Sequence, residues 1–189
     1  MNSSQFQQAK KSTLAKKDKS DIGEYDERVR GLCDKINKKK EYYTTSSCSG
    51  RIVLIIGEDK KMEDLFLFRT HNKINSNGLK KELEKSCKKT KKVIYFKQEP
   101  FILHVCCFNL DSAKKILKIA QDSGIKQKNI ISLGNKIICE LKASEKIELP
   151  VIFDEEILIN DKFLKILVEE ANKKLEKSWK KIRILEKGV

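Results

Sequence analysis

The spacing of apolar residues constrains this chain most, because segments with helical periodicity are each followed by two short strand-like runs. Tyr25, Val29, Leu32, Cys33 and Ile36 recur at three- and four-residue intervals. That spacing predicts a helix over 25–39 with one buried stripe and a lysine-covered outer face. Strands are predicted next, near 42–46 and 51–57. The same order returns as helix 79–88 with strands 92–97 and 101–108, and as helix 111–123 with strands 130–134 and 136–142. Helices separated by β-hairpins imply an α+β fold: repeated helix plus β-hairpin units forming a mixed or antiparallel sheet packed by helices, rather than alternating βαβ units. Identity among the three units is slight, so the recurrence is one of topology. The eight glycines stand at 23, 31, 50, 57, 78, 124, 134 and 188. No Gly-x-Gly occurs, and neither a Rossmann fingerprint nor a P-loop is available.

Around these units, Phe6–Leu14 suits a short helix that Asp18–Gly23 breaks, so residues 1–20 read as a loosely packed N-terminal helix and linker. Asp21, with Glu24 three residues on, has the pattern of a capping box for the next helix. Asp111 and Gly124 punctuate the third helix. Extra strands are expected at Leu65–Arg69 and Lys146–Ile152. Phe163, Leu167, Ala171, Leu175, Trp179 and Ile182 form a long amphipathic stripe expected to lie across the sheet. With 189 residues and 39% hydrophobic content, a single domain, 1–189, is expected.

A net charge of +14 with 36% charged residues suits an anionic partner, above all nucleic acid, because long-range attraction raises the association rate. The other reading is a coding bias that places lysine on every exposed face. The six cysteines include no Cys-x-x-Cys and are accompanied by two histidines, so no metal site is expected. Without a secretory or long apolar segment, they read as reduced and mostly buried in a cytoplasmic protein, away from membranes.

The chemistry concentrates at Tyr42-Tyr43-Thr44-Thr45-Ser46-Ser47-Cys48-Ser49-Gly50-Arg51-Ile52. A hairpin here would bring the Ser47 and Ser49 hydroxyls, the turn amides and the Arg51 fork together as an anion pocket. The residues equally allow an ordinary hairpin whose hydroxyls face water. On strand 101–108, His104 shares a face with Ile102, Cys106 and Phe108, a lone imidazole among apolar neighbours. It is a candidate proton acceptor or a satisfied core residue. Asp26 and Glu27 open the first long helix, where acids also complement the dipole, and Asp26 is the second candidate acid–base group. His71 follows a short strand and is a candidate lining residue. From Lys80 to Lys97 there are eight lysines against two glutamates, and the last helix adds more, a distribution suited to RNA phosphates or simply to solvent.

The Ser47, Ser49 and Arg51 spacing after a Tyr-Thr-Thr-Ser lead resembles the signature of the tRNA wybutosine-synthesizing protein 3 family. The likeness extends through Asp18-Lys19-Ser20 and Gly23–Glu27, Thr70-His71, Phe96–Val105, Ala113–Gly124, Glu148-Leu149-Pro150 and Ala171–Lys174, so it covers nearly the whole chain in order. Two departures stand out. Ile125-Lys126-Gln127-Lys128 replaces an aromatic-Arg-x-Ser pattern, and Lys142-Ala143 replaces an Arg-Ser pair. The resemblance implies an enzyme that methylates N4 of a 4-demethylwyosine-type tricyclic base beside the anticodon of phenylalanine tRNA, with S-adenosylmethionine as cofactor. The helix–hairpin units without any Gly-x-Gly predict that the fold is not a classical Rossmann methyltransferase. On the basis of the resemblance, His104 and Asp26 are the expected catalytic residues. Thr45, Ser47, Ser49, Arg51 and His71 are expected to bind cofactor or substrate, and Lys88, Lys89, Lys91, Lys126 and Lys142 to bind RNA. The competing readings are a non-enzymatic RNA-binding protein that uses its basic faces alone and a small-molecule binder whose charge is only coding bias.

Overall fold

The computed structural model describes residues 2–15, 26–57 and 65–189. The described residues form five helices and nine strands: α1 (Ser3–Leu14), α2 (Glu27–Lys38), β1 (Tyr42–Cys48), β2 (Arg51–Ile56), β3 (Phe66–Thr70), α3 (Ser76–Cys87), β4 (Ile94–Glu99), β5 (Ile102–Cys107), α4 (Leu110–Asp122), β6 (Gln127–Leu133), β7 (Ile137–Lys142), β8 (Ile147–Phe153), β9 (Glu156–Ile157) and α5 (Asp161–Gly188). They divide into two compact units. The first comprises Met1–Ser49, Phe101–Ser144 and Ser178–Val189, and the second Gly50–Pro100 and Glu145–Lys177. The chain therefore passes from one to the other four times, at 49/50, 100/101, 144/145 and 177/178.

Unit 1 is built on an antiparallel sheet of order β1-β5-β7-β6. Its core face carries Leu103, Val105, Cys107, Cys139 and Leu141, packed with Val29, Leu32, Cys33 and Ile36 of α2, Ala113, Ile116 and Ala120 of α4, and Ile182 and Leu185 of α5. Each helix contributes residues three or four apart, because that spacing returns to one side of an α-helix. Burying one such aliphatic side chain stabilises by roughly 1.5–3 kcal/mol. On the opposite face α1 seats Phe6 against Tyr43 and Phe108, at ring-centroid distances of 5.2 and 5.4 Å, beside Cys106. β1 and β6 are the edges of this sheet.

Unit 2 contains the antiparallel sheet β3-β2-β4-β8-β9, α3 and residues 161–177 of α5. Ile52, Val53 and Leu54 of β2 are all buried, which explains the continuous apolar run read there. Asn172 of α5 fastens the loop before α3 by exchanging hydrogen bonds with the backbone of Ile74, 2.8 and 3.2 Å. The β8–β9 turn places Asp154 and Glu155 at φ 47° and 63°, the left-handed pair a tight two-residue hairpin needs.

The α+β class with antiparallel sheets is as expected from the sequence, but the strand pairing differs. β1 and β2 are not a hairpin: β1 pairs with β5, and β2 with β3 and β4. β4 and β5 likewise fall in different sheets. Of the three expected hairpins only β6–β7 forms. Gly50, at φ 106°, and Pro100 are as suited to a strand that leaves its sheet as to one that folds back. α4 is capped by Asn109, whose side chain accepts from the Ser112 amide at 2.8 Å, and not by Asp111. In α5 the buried line runs through Leu164, Leu167, Val168, Ala171, Leu175, Ser178, Ile182 and Leu185, while Phe163 is exposed. The Asp21/Glu24 capping box and Tyr25 lie outside the described residues; α2 begins at Glu27 with Asp26 as its cap.

Candidate active site

Unit 1 presents two groups of polar side chains, one toward each face of its sheet. On the helix side, Asp26 caps α2, its Oδ1 accepting from the Arg28 amide at 3.3 Å, while its Oδ2 accepts from the Ser49 amide at 2.7 Å. One carboxylate thus ties the start of α2 to the residue that follows β1. Ser49 is fully buried and its hydroxyl has no partner among the described residues. Farther back, the Thr44 amide donates to Asn37 Oδ1 at 2.8 Å and the Asn37 amide donates to Thr44 Oγ1 at 3.0 Å, holding β1 against α2.

A bulge between Thr44 and Ser46 then decides which residues share a face. Ser47 lies opposite Leu103, toward the helices, whereas Ser46 lies opposite His104. His104 is in turn opposite Glu140, and Glu140 opposite Asn129. Directly opposed residues project to one side, so Ser46, His104, Glu140 and Asn129 form a polar rung across all four strands. The next rung is Cys48, Ile102, Lys142 and Gln127. His104 Nε2 donates to Glu140 Oε2 at 3.0 Å, and both side chains are about three-quarters buried, at 26% and 25% exposure. Nδ1 has no partner among the described residues and keeps its lone pair in the neutral imidazole. The expectation of a histidine among apolar neighbours is corrected here: its strand neighbours are apolar, its cross-strand neighbours are not. The structure brings Asp26 to Ser49 and His104 to Ser46, and it sets Ser47 on the opposite face from His104.

In unit 2, Arg51 opens β2 opposite Glu99, the last residue of β4. Its Nε donates to Glu99 Oε2, and its guanidinium lies 5.1 Å from the Phe66 ring. Held by Nε, the fork keeps both terminal nitrogens without a partner among the described residues. His71, just after β3, donates from Nδ1 to the Gly50 carbonyl at 3.0 Å, which fixes the backbone immediately before Arg51. Residues 6–189 match the family described as Methyltransferase TYW3. The chain belongs to this family.

A Danio rerio protein named tRNA wybutosine-synthesizing protein 3 homolog is 34% identical over 97% of this chain and 74% of its own length. A Methanocaldococcus jannaschii protein named tRNA(Phe) 7-((3-amino-3-carboxypropyl)-4-demethylwyosine(37)-N(4))-methyltransferase is 34% identical over 82% of this chain and 81% of its own. Among solved structures, the PH1069 protein from Pyrococcus horikoshii superposes with a TM-score of 0.86 at 30% identity, covering 98% of this chain and 94% of that one. The family fold is thus α+β and not a Rossmann sheet.

Glu140 was not among the residues singled out from the sequence, and Glu99 stood there only within the Phe96–Val105 likeness, with no role of its own. Each acts on its partner across a strand pairing, a relation that spacing along the chain does not carry. Thr45, the bulge residue, is exposed. Lys88, Lys89 and Lys91 are exposed, but the Lys91 carbonyl accepts from the Asp154 amide at 3.2 Å, so this run lies beside the acids Asp154, Glu155 and Glu156. Lys126 is exposed, and Lys142 is half-buried on the face of His104, one rung beyond Glu140. Lys128 is half-buried and lies opposite Leu141, on the other face. None of the six cysteines forms a disulfide. The Cys107 thiol, 3.8 Å from the Cys139 sulfur, is pushed well up by that hydrogen bond and by burial, which keeps it protonated and unreactive.

No helix among the described residues is long and apolar enough to cross a membrane.

Proposed function

We propose that this protein transfers a methyl group from S-adenosylmethionine to N4 of a 4-demethylwyosine-type tricyclic base beside the anticodon of phenylalanine tRNA. Membership of the family over residues 6–189 carries this reading, and the archaeal relative's name supports it. When bound, S-adenosylmethionine supplies an electrophilic methyl group on a sulfonium. Such a molecule offers a carboxylate and sugar hydroxyls to hydrogen-bonding groups, and each unit by itself carries groups of that kind. In unit 1 the buried Ser49 hydroxyl, without a partner among the described residues, is a donor and acceptor of that type. In unit 2 the two uncommitted nitrogens of Arg51 suit a carboxylate or phosphate.

In-line methyl transfer asks the protein chiefly to position the reacting atoms. Asp26 serves by fixing the Ser49 backbone, His71 by fixing Gly50, and Glu99 by holding Arg51 through one nitrogen. Thr45 presents its hydroxyl from the exposed bulge of β1, and Ser47 presents one on the helix side with Ser49. On the other face of the sheet, His104 accepts the proton that the ring nitrogen loses. Lys126 and Lys142, with Lys88, Lys89 and Lys91, meet backbone phosphates, the contacts that supply most of the affinity for a structured RNA.

The test is direct. Given S-adenosylmethionine and phenylalanine tRNA carrying the demethylated tricycle, the protein adds one methyl to that base, read by mass after nuclease digestion. Unmodified tRNA is a poor substrate, because its acceptor nitrogen is not yet part of the tricycle. Tight tRNA binding with no transfer would identify a non-enzymatic RNA-binding protein instead.

A further inference from the structure

Resting on that reading, we propose that Glu140 is a positioning residue for the reaction: its carboxylate holds the His104 ring with Nε2 protonated, so that Nδ1 is presented as the proton acceptor. Three observations converge on this. The register places the two residues directly opposite on neighbouring strands, a rigid scaffold for a two-group device. The contact is 3.0 Å, and both partners are three-quarters buried. Among the described residues of unit 1, α1 packs Phe6 on the part of this face around Tyr43, Cys106, Phe108 and Ile138, while Ser46 and Asn129 at the two ends of the polar rung are exposed.

Neighbours on the face do not compete for the role. Ser46 and Asn129 complete the rung without charge, and Lys142, one rung on, is the nearest charged side chain by register. A purely stabilising function is a weak account of the pair, because partly exposed ion pairs contribute little. As a device it does three things: it selects one tautomer, sets the ring plane, and places a negative charge behind the imidazolium that proton uptake creates. The proton is fully accounted for. His104 Nδ1 takes the hydrogen of the breaking N–H bond while the new nitrogen–methyl bond replaces the methyl–sulfur bond, whose electron pair stays on sulfur.

Two measurements on the full chain test this. With only two histidines in the sequence, the nitrogen NMR spectrum of protein labelled at histidine is assigned by a His71→Asn variant. At alkaline pH, where imidazole is neutral, His104 is expected to show a protonated Nε2 and an unprotonated Nδ1. Glu140→Gln, whose amide can donate to Nε2, should shift the population toward the opposite tautomer.

In the methylation assay Glu140→Gln should lower kcat about 10- to 100-fold, a part of the roughly 100- to 10,000-fold that a general acid–base group contributes, with KM for tRNA and for the methyl donor within about twofold of wild type. Glu140→Asp should recover part of the loss, and Lys128→Ala, on the opposite face of β6, should leave the rate unchanged. An Nδ1-protonated tautomer in the wild type would overturn the proposal. So would a wild-type kcat in Glu140→Gln, or a raised KM with unchanged kcat. Should Glu140→Gln fail to fold, the wild-type tautomer and the Glu140→Asp rate still decide. An inactive wild type with the expected tautomer would sink the methyltransferase reading while leaving the His104–Glu140 arrangement intact.

Discussion

Arg51→Ala separates a ligand-binding arginine from a structural one. Among the described residues this side chain has two interactions, the Nε bond to Glu99 and the approach to Phe66, and the paired side chains are 26% and 37% exposed. A half-exposed ion pair contributes about 0–1 kcal/mol and a cation–π contact at such a site about 0.5–1 kcal/mol. Their loss should therefore lower stability by roughly 0.5–2 kcal/mol. For a chain of this length that is a fall in Tm of roughly 1–8 °C. Glu99, left unpaired, is exposed enough for water to solvate it. If the terminal nitrogens bind a charged group of cofactor or substrate, each such bond is worth about 1.5–3 kcal/mol, and losing even one costs roughly 10- to 150-fold in kcat/KM. The assay is methyl incorporation into tricycle-bearing tRNA alongside a thermal melt. Arg51→Lys should fall between, since an ammonium replaces the fork by a point charge. A variant that is as active as wild type, or one whose activity falls only as far as its folded fraction does, would refute the ligand-binding role.

Binding of tRNA should weaken steeply with salt, and joint charge reversal at Lys88, Lys89 and Lys91 should weaken it without changing methyl-donor affinity; a salt-insensitive affinity would count against phosphate contacts. Burial pushes the Tyr42 hydroxyl up to about 12, and it donates to the Ser112 carbonyl at 2.9 Å. A raised folded-state value gives stability that is complete below the unfolded value, about 10, and is lost as pH climbs toward 12. The stability gap between wild type and Tyr42→Phe, about 1 kcal/mol at neutral pH, should therefore close over that alkaline range in melts at stepped pH. Because neither unit is a continuous stretch of chain, unfolding is expected as a single cooperative transition, with far-ultraviolet dichroism and Trp179 fluorescence coinciding; separate midpoints would contradict single-domain behaviour.

Much of the secondary structure and of the core was legible because it is written locally. The α2 stripe of Val29, Leu32, Cys33 and Ile36 follows from helical spacing, and all four are buried. Strands β3 and β8 lie within a residue of where their apolar runs put them. Pairing was not legible. Nothing near Ser49 or Pro100 says that the strand ahead joins a different sheet, since the deciding contacts come from residues about 50 positions away: Arg51 with Glu99, Ser46 with His104. The same limit hid the partners of the candidate residues. Asp26, Ser49, Arg51 and His104 stand out by residue type, but the groups that orient them, Glu140, Glu99 and the Gly50 carbonyl, are defined only once the register exists. The cap of α4 was misjudged by two positions because Asp111 and Asn109 offer similar chemistry, and the backbone selects the residue that is still extended.

Among the described residues β6 has an unpaired flank as the outer strand of its sheet, and Ile131 and Leu133 near its end are 49% and 66% exposed. A bare flank of this kind is a template onto which another chain can add. Lys126 and Lys128 at its start, Lys136 in the hairpin that follows, and the break in register between Ile130 and Ser132 oppose such growth by repulsion and by bending. The lysine excess that reads as an RNA-seeking charge or as coding bias is therefore also colloidal protection, and it is the component that added salt or lysine acetylation would strip away first.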